Sequence, residues 1–194
     1  NNISTVEALN SISLKIYRGE KIALIGHNGS GKSSFLRLIS EIYFPTSGKI
    51  YKKVKPYPML SPSFIVSEVL TGIDSAKAHY LFRYGNLKGF EKYLNDIVEF
   101  SGLGDFIALP IKTYSEGMKS RFIFSILTFD KHEFLALDEG IGTGDNTFYK
   151  KAEKRMKEFI ANAGTLVFAS HSPDLLNKFC SRGLVFSCGN IVDD

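Results

Sequence analysis

The 194-residue chain has no tryptophan and no glutamine, and only two cysteines and six prolines. Each scarcity excludes something. Cys180 and Cys188 form neither a metal-ligand spacing nor a disulfide framework, so they read as buried free thiols of a reducing cytosol. No apolar run approaches the ~18 residues needed to cross a bilayer, and no transmembrane helix is expected. Asn1 to Leu9 lack the basic start, apolar stretch and cleavage site of a signal peptide, so no leader is expected there. The net charge of +4 is mild and its lysines and arginines are dispersed, which gives no electrostatic footprint for a nucleic-acid partner. The basic excess suits a solvated surface facing nucleotide and anionic lipid. The missing glutamine matters once the motifs are placed.

What is present is an ordinary globular composition, 44% hydrophobic and 23% charged. The length suits one domain, with room for an inserted lobe. Lys21 to Gly26 is a short apolar run, as in a buried parallel strand, and leads into a glycine-rich loop and a helix from about Lys32. Ser13 to Tyr17 alternates apolar and polar residues and predicts a strand; Gly48 to Tyr51 and Val54 to Met59 predict strand pieces. From about Val66 to Pro110 the spacing is helical, broken by glycines, and predicts a separate helical lobe of about three helices. Further on, helices are predicted over Ser115 to Phe129, Asn146 to Ala163 and Pro173 to Cys180. Strands are predicted over Glu133 to Leu137, Thr165 to Ala169 and Gly183 to Ser187, with Gly189-Asn190 turning into a final hairpin strand. Alternating strands and helices imply an α/β fold with a mostly parallel sheet, which binds ligands at the carboxyl ends of its strands.

Gly26-His27-Asn28-Gly29-Ser30-Gly31-Lys32-Ser33, followed by Ser34, fits the P-loop pattern. Its glycines let backbone N–H groups curl around phosphate oxygens, and the following helix adds its positive end. Lys32 is placed to reach the β- and γ-phosphates, and the Ser33 hydroxyl to coordinate magnesium. Phe134 to Asp138 is an apolar strand ending in an acid, the Walker B pattern, which assigns magnesium to Asp138 and the attacking water to Glu139. Tyr114-Ser115-Glu116-Gly117-Met118-Lys119 opens a helix about twenty residues earlier, with Ser115 as its N-cap.

At this point the chain resembles the ABC (ATP-binding cassette) ATPases, whose signature of Leu-Ser-Gly-Gly-Gln type lies in that place. Gly142-Thr143-Gly144-Asp145 looks like the D-loop, and Phe168-Ala169-Ser170-His171 resembles the switch region. The resemblance runs from about Glu7 to the end. It is nearest to the ATPase subunits of O-antigen, capsule and teichoic-acid exporters, through Tyr-Ser-x-Gly-Met, the Gly-Asp of the D-loop, Phe148 to Lys151, and Ser170-His171-Ser172.

The resemblance implies a P-loop NTPase (RecA-like) core with a mostly parallel sheet, a small antiparallel β subdomain and an inserted helical subdomain. It implies one nucleotide-binding domain over 1–194, with a core of about 1–65 and 113–194 and a helical subdomain of about 66–112. It implies ATP and Mg2+ as ligands. Glu139, His171 and Lys32 are the catalytic residues it carries over. Gly26, Asn28, Gly29, Ser30, Gly31, Lys32, Ser33 and Ser34 would hold nucleotide in the same chain; Ser115, Gly117 and Met118 would do so from a partner copy. It further implies an ATP-bound homodimer, a separate membrane permease, and a peripheral position on the cytoplasmic face of a bacterial membrane. Permease coupling is expected around Tyr57 to Tyr84, where Tyr57, Phe64, Tyr80 and Phe82 either cradle a permease helix or form only the core of the lobe.

Three departures stand out. The signature carries Glu116 where glycine is usual and Met118 where glutamine is usual. The Q-loop glutamine, due between Pro56 and Ser63, is absent. The window for an adenine-stacking ring, Asn1 to Thr5, holds no aromatic residue. Other readings fit less well. A chromosome or repair ATPase would insert a long coiled coil, yet only 83 residues separate Lys32 from Ser115. A translation-type protein needs two cassettes. A small-molecule kinase has no use for Ser115-Glu116-Gly117 or His171. A regulatory, non-hydrolysing binder need not retain Glu139 and His171. An importer's ATPase would share the same chemistry.

Overall fold

Strand β1 (Lys21–Ile25) lies inside a six-stranded sheet of order β2-β3-β4-β1-β5-β6. This is a computed structural model; the structure describes residues 6–59, 67–138 and 146–194, of which 146 and 147 are described by backbone alone. The other strands are β2 (Tyr57–Met59), β3 (Phe134–Asp138), β4 (Thr165–Ala169), β5 (Arg182–Ser187) and β6 (Asn190–Asp193). β1 pairs in parallel with β4, Lys21 opposite Leu166, and with β5, Ile22 opposite Arg182. β2 to β3 and β3 to β4 are also parallel, and only the β5–β6 hairpin at the edge is antiparallel. Central strands enclosed on both faces need apolar side chains throughout. Ile22, Leu24, Leu135, Leu166, Val167 and Leu184 are accordingly fully buried, each burial contributing roughly 1.5–3 kcal/mol.

The described residues fall into two compact units. The first holds the chain to Met59, His132 to Asp138 and everything from Ile160. Its helix α1 (Lys32–Ile39) buries Phe35, Leu36 and Ile39 against the sheet, and the Phe35 ring meets that of Phe186 on β5 at 5.4 Å. α6 (Pro173–Phe179) begins with proline at its first position, where no backbone donor is required. Lys21 Nζ donates to the carbonyls of Ile160 and Ala161, satisfying acceptors left open at a helix end.

The second unit holds 67–131 and 146–159. It is built from α2 (Gly72–Tyr84), α3 (Phe90–Ser101), α4 (Glu116–Leu127) and most of α5 (Asn146–Ala161), with 3-10 turns at Gly104–Ala108 and Ile111–Thr113. The Thr71 hydroxyl accepts from the Asp74 N–H and caps α2; Gly85 ends that helix in the left-handed region with φ 71°. Tyr80, Tyr93, Ile97, Phe122 and Ile126 form one core, and Phe100, Phe124 and Phe148 a second. Arg155 spans from α5 to Asp96 on α3 as a two-pronged pair, with its guanidinium carbon 4.2 Å from the Phe100 ring centre. Contacts thus gather α4 and most of α5 with the helices of the expected 66–112 lobe.

Several expectations change. Neither cysteine is buried: Cys188 is exposed and Cys180 half-buried, because both lie at the ends of β5 rather than within the sheet. The segment 12–17 forms no strand, although Ile12, Leu14 and Ile16 alternate inward against the sheet core. No ladder forms at 48–51 either, and the strand expected from Val54 covers only Tyr57–Met59. The small antiparallel subdomain is therefore not found among the described residues, whose antiparallel pairing is confined to β5–β6 and one bridge, Thr71 to Pro110. Alternation marks which side chains face inward; a ladder also needs a neighbouring backbone to bond.

Candidate nucleotide site

The carboxyl ends of β1, β3 and β4 lie side by side, because these strands are parallel neighbours. They deliver the P-loop, Asp138 and Ser170-His171 respectively to one rim of the sheet. A cleft of about 490 Å³ opens there, lined by Asn28 to Ser34, Asp138, Ala169 to His171 and the backbone on either side.

The P-loop turns on its glycines. Gly26 has φ 150°, and a Cβ there would lie 2.4 Å from the Phe186 carbonyl oxygen, a clash with rigid backbone. Gly31 caps α1 with φ 113°, a region that other residues rarely enter. The first N–H groups of α1 have no partner in the helix and face the cleft end, an arrangement that attracts anions. No acidic residue stands in the first turn of α1 to compete.

Lys32 Nζ bridges the loop, donating to the carbonyls of Gly26 at 2.7 Å and His27 at 2.9 Å. Its ammonium group is thereby held beside the loop's N–H groups. Ser33 Oγ donates to Asp138 Oδ2 at 2.7 Å. These are two hard oxygen donors of the kind that magnesium takes, one or two from protein and the rest from phosphate and water. The residues present therefore fit Mg2+ bound together with a nucleotide. Among the described residues no cluster of three or more His, Cys, Asp or Glu side chains offers a self-contained metal cage. His171 is exposed at the end of β4 and lines the cleft. The Ser170 hydroxyl accepts from the Ser172 N–H, which fixes the turn that presents His171.

Glu139 and the D-loop residues Gly142, Thr143, Gly144 and Asp145 lie outside the described residues, as does Phe64. Asn28, Gly29, Ser30, Gly31, Lys32, Ser33 and Ser34 all line the cleft, while Gly26 lines the adjoining hollow beside His171 and Leu176. Ser115, Gly117 and Met118 start α4 in the second unit. The Ser115 side chain accepts from the Met118 N–H at 3.2 Å, as an N-cap does. The Met118 side chain packs partly buried against the helical core. Glu116 turns its carboxylate to Lys119 at 3.3 Å, along the helix surface, and Lys119 also pairs with Glu68. Among the four aromatics expected to cradle a permease, Tyr80 is core and donates to the Lys88 carbonyl; Tyr57 stacks on His132; Phe82 is 94% exposed.

The sequence reading missed the cleft's other wall, made by Val6 to Ala8 and by Cys188-Gly189 of the β5–β6 turn. The Gly189-Asn190 turn was a visible signal, but its proximity to the P-loop follows only from β5 pairing with β1.

A family model described as ABC transporter matches residues 9–142, more than two thirds of the chain. The chain belongs to the ABC transporter family. It is an ATP-binding cassette of the type that hydrolyses ATP. The "O-antigen export system ATP-binding protein RfbE" of Yersinia enterocolitica is 38% identical over 99% of this cassette and 80% of its own length. The "Teichoic acids export ATP-binding protein TagH" of Enterococcus faecalis is 37% identical over 94% of the cassette, which spans 40% of that relative. Among solved structures, a dimeric bacterial ABC transporter cassette aligns over 100% of this chain and 92% of its own, with a TM-score of 0.74 at 18% identity. A second, described as a post-hydrolysis state bound to ADP and Pi, aligns over 97% of this chain with a TM-score of 0.73 at 19% identity. These likenesses share the fold.

Proposed function

We propose that this cassette powers export of a cell-surface polysaccharide through a separate membrane permease, working as a homodimer with two ATP molecules at shared sites. The observation that carries the chemistry is the Ser33–Asp138 pair beside the P-loop. The cargo class rests on the O-antigen and teichoic-acid relatives. Lys32 and the P-loop N–H groups hold the β- and γ-phosphates. Ser33 and Asp138 would hold Mg2+, which would neutralise charge on the phosphate oxygens. Glu139, next in the chain after Asp138, accepts a proton from the water that attacks the γ-phosphorus as the bond to the β,γ-bridging oxygen breaks and ADP leaves. His171 contacts the γ-phosphate from the end of β4 and helps hold it in line.

The start of α4 supplies the other half. Ser115 accepts from Met118 N–H, so the Ser115 hydroxyl proton is left to donate outward, and the N–H groups of Glu116 and Gly117 have no partner within the helix. A second anion site of this kind, in a chain that already owns a P-loop, serves a partner's γ-phosphate in a two-fold dimer. The D-loop, Gly142 to Asp145, is assigned to the contact between copies. Among the described residues, Phe82, exposed on α2, is the aromatic ring best placed for permease contact. Among the described residues no helix is long and apolar enough to cross a membrane; the peripheral position on the cytoplasmic face rests on the family resemblance.

The test is complementation between dead chains. Lys32→Ala spoils the P-loop and Gly117→Asp the α4 start. Mixed, they form dimers in which one composite site has both halves intact, so ATPase activity should reappear. A mixture that stays inactive although the chains demonstrably pair refutes independently working shared sites. In cells, loss of the gene should remove surface polysaccharide, and a Lys32→Ala copy should fail to restore it.

A further inference from the structure

Cys188 is one of three described non-glycine residues with positive φ, at 46°, and it is exposed. The left-handed region is unfavourable for a residue with a side chain, so the surrounding bonds must hold it there. The Gly189 N–H donates to the Ser30 carbonyl at 2.9 Å, and the Gly189 carbonyl accepts from the Asn10 N–H at 2.8 Å. A Cβ on Gly31 or Gly189 would come to 3.0 Å from the Ala8 carbonyl oxygen. Three backbone segments are therefore clasped together, and the β5–β6 turn is fastened directly to the P-loop. At the same junction the Ser30 hydroxyl is 0% exposed and has no hydrogen-bond partner in the chain, while Ser30 lines the cleft.

Strand order then gives direction. Along the sheet rim come Asp138 after β3, His171 after β4, the P-loop after β1 and Cys188 after β5. Terminal phosphates held with magnesium by Ser33 and Asp138 would lie on one side of the P-loop, which leaves the cleft wall of Val6 to Ala8 and the turn, on the other side, to the rest of the nucleotide. We propose that Cys188 packs against the ribose–base end of the bound nucleotide, making the β5–β6 turn a wall of the site. This rests on the nucleotide reading above. The same ligand supplies the partner that the Ser30 hydroxyl lacks within the chain.

The chain carries its own control. Cys180 is half-buried, and burial pushes its thiol up to about 11, so it stays protonated and slow to alkylate at neutral pH. Iodoacetamide labelling of each cysteine would be followed by mass spectrometry, with and without saturating ADP and magnesium. Bound ADP should slow Cys188 labelling at least tenfold, leave Cys180 unchanged, and do so at every protein concentration. Lys32→Ala should abolish the protection. In a Cys180→Ser chain, labelling Cys188 should weaken ADP binding, read by equilibrium dialysis, at least tenfold. A Cys188→Ala chain should show no change on the same treatment.

Unprotected Cys188 in a chain that dialysis shows to bind ADP overturns the inference and leaves the nucleotide site standing. Protection that follows protein concentration assigns the shielding to a partner copy and also overturns it. Failure to bind ADP at all overturns the nucleotide reading itself.

Discussion

Ser33 and Asp138 are joined by a 2.7 Å hydrogen bond across 105 positions of sequence, from the start of α1 to the end of β3. The bond fixes the two proposed magnesium donors relative to each other. Ser33→Ala removes one donor and the bond that orients the other. ATPase activity should fall about 10–100-fold, and the magnesium concentration for half-maximal activity should rise. Asp138→Asn should be more severe, because it removes the charge as well. Titrating magnesium at fixed ATP checks both; an unchanged magnesium requirement in Ser33→Ala would detach Ser33 from the metal.

Lys32 is held by the Gly26 and His27 carbonyls, both of them in the loop it serves. Lys32→Ala should leave thermal stability within a few degrees of wild type, because those bonds are partly exposed. Nucleotide affinity should drop by at least tenfold. Calorimetric titration with ADP beside a melting curve separates the two effects.

Glu139 follows Asp138 in the chain and is the base of the proposed mechanism. Glu139→Gln keeps shape and removes basicity, so turnover should fall by roughly 10²–10⁴ while ATP binding survives. If hydrolysis reopens the proposed homodimer, the variant should run as an ATP-dependent dimer on a sizing column. Near-wild-type turnover would reassign the base.

His79 on α2 gives the helical unit a pH dependence of its own. Burial, with the nearby Arg83 charge, lowers its pKa from 6.5 to about 4, and its Nδ1 shares a 2.8 Å hydrogen bond with the Tyr93 hydroxyl. The unfolded chain therefore binds a proton near pH 6.5 that the folded chain takes up only near pH 4. Stability from this group is complete above about pH 6.5 and is lost as pH falls toward 4, by at most about 3 kcal/mol. Urea midpoints at pH 7 and pH 4.5 should differ less in His79→Leu than in wild type; an equal difference would place the acid sensitivity elsewhere.

The site was legible where chemistry and local geometry coincide. A P-loop needs its glycines at fixed positions because backbone must approach phosphate, and Gly26 shows the constraint: any side chain there strikes Phe186. β1, β3 and β4 were legible because strands buried on both faces admit little but apolar residues. The segment 12–17 misled because its alternation reports burial of Ile12, Leu14 and Ile16, not pairing. Tyr80 stayed open because helical spacing cannot say whether an aromatic ring faces the core or a partner; it packs in the core against Tyr84, Phe90 and Tyr93. The wall formed by Ala8 and Cys188 was not legible, since it depends on which strands become neighbours.

The pairing of β1 with β4 and β5 also sets an order of events during synthesis. The P-loop strand near residue 21 finds its neighbours only at residues 165–187. At about 5–20 residues per second, a ribosome needs roughly 7–30 s to deliver those neighbours. Until then the glycine-rich loop hangs from an unpaired strand, with no rim on which to set Asp138 and His171 beside it. A nascent cassette is thus unable to trap or spend ATP before most of its chain has emerged.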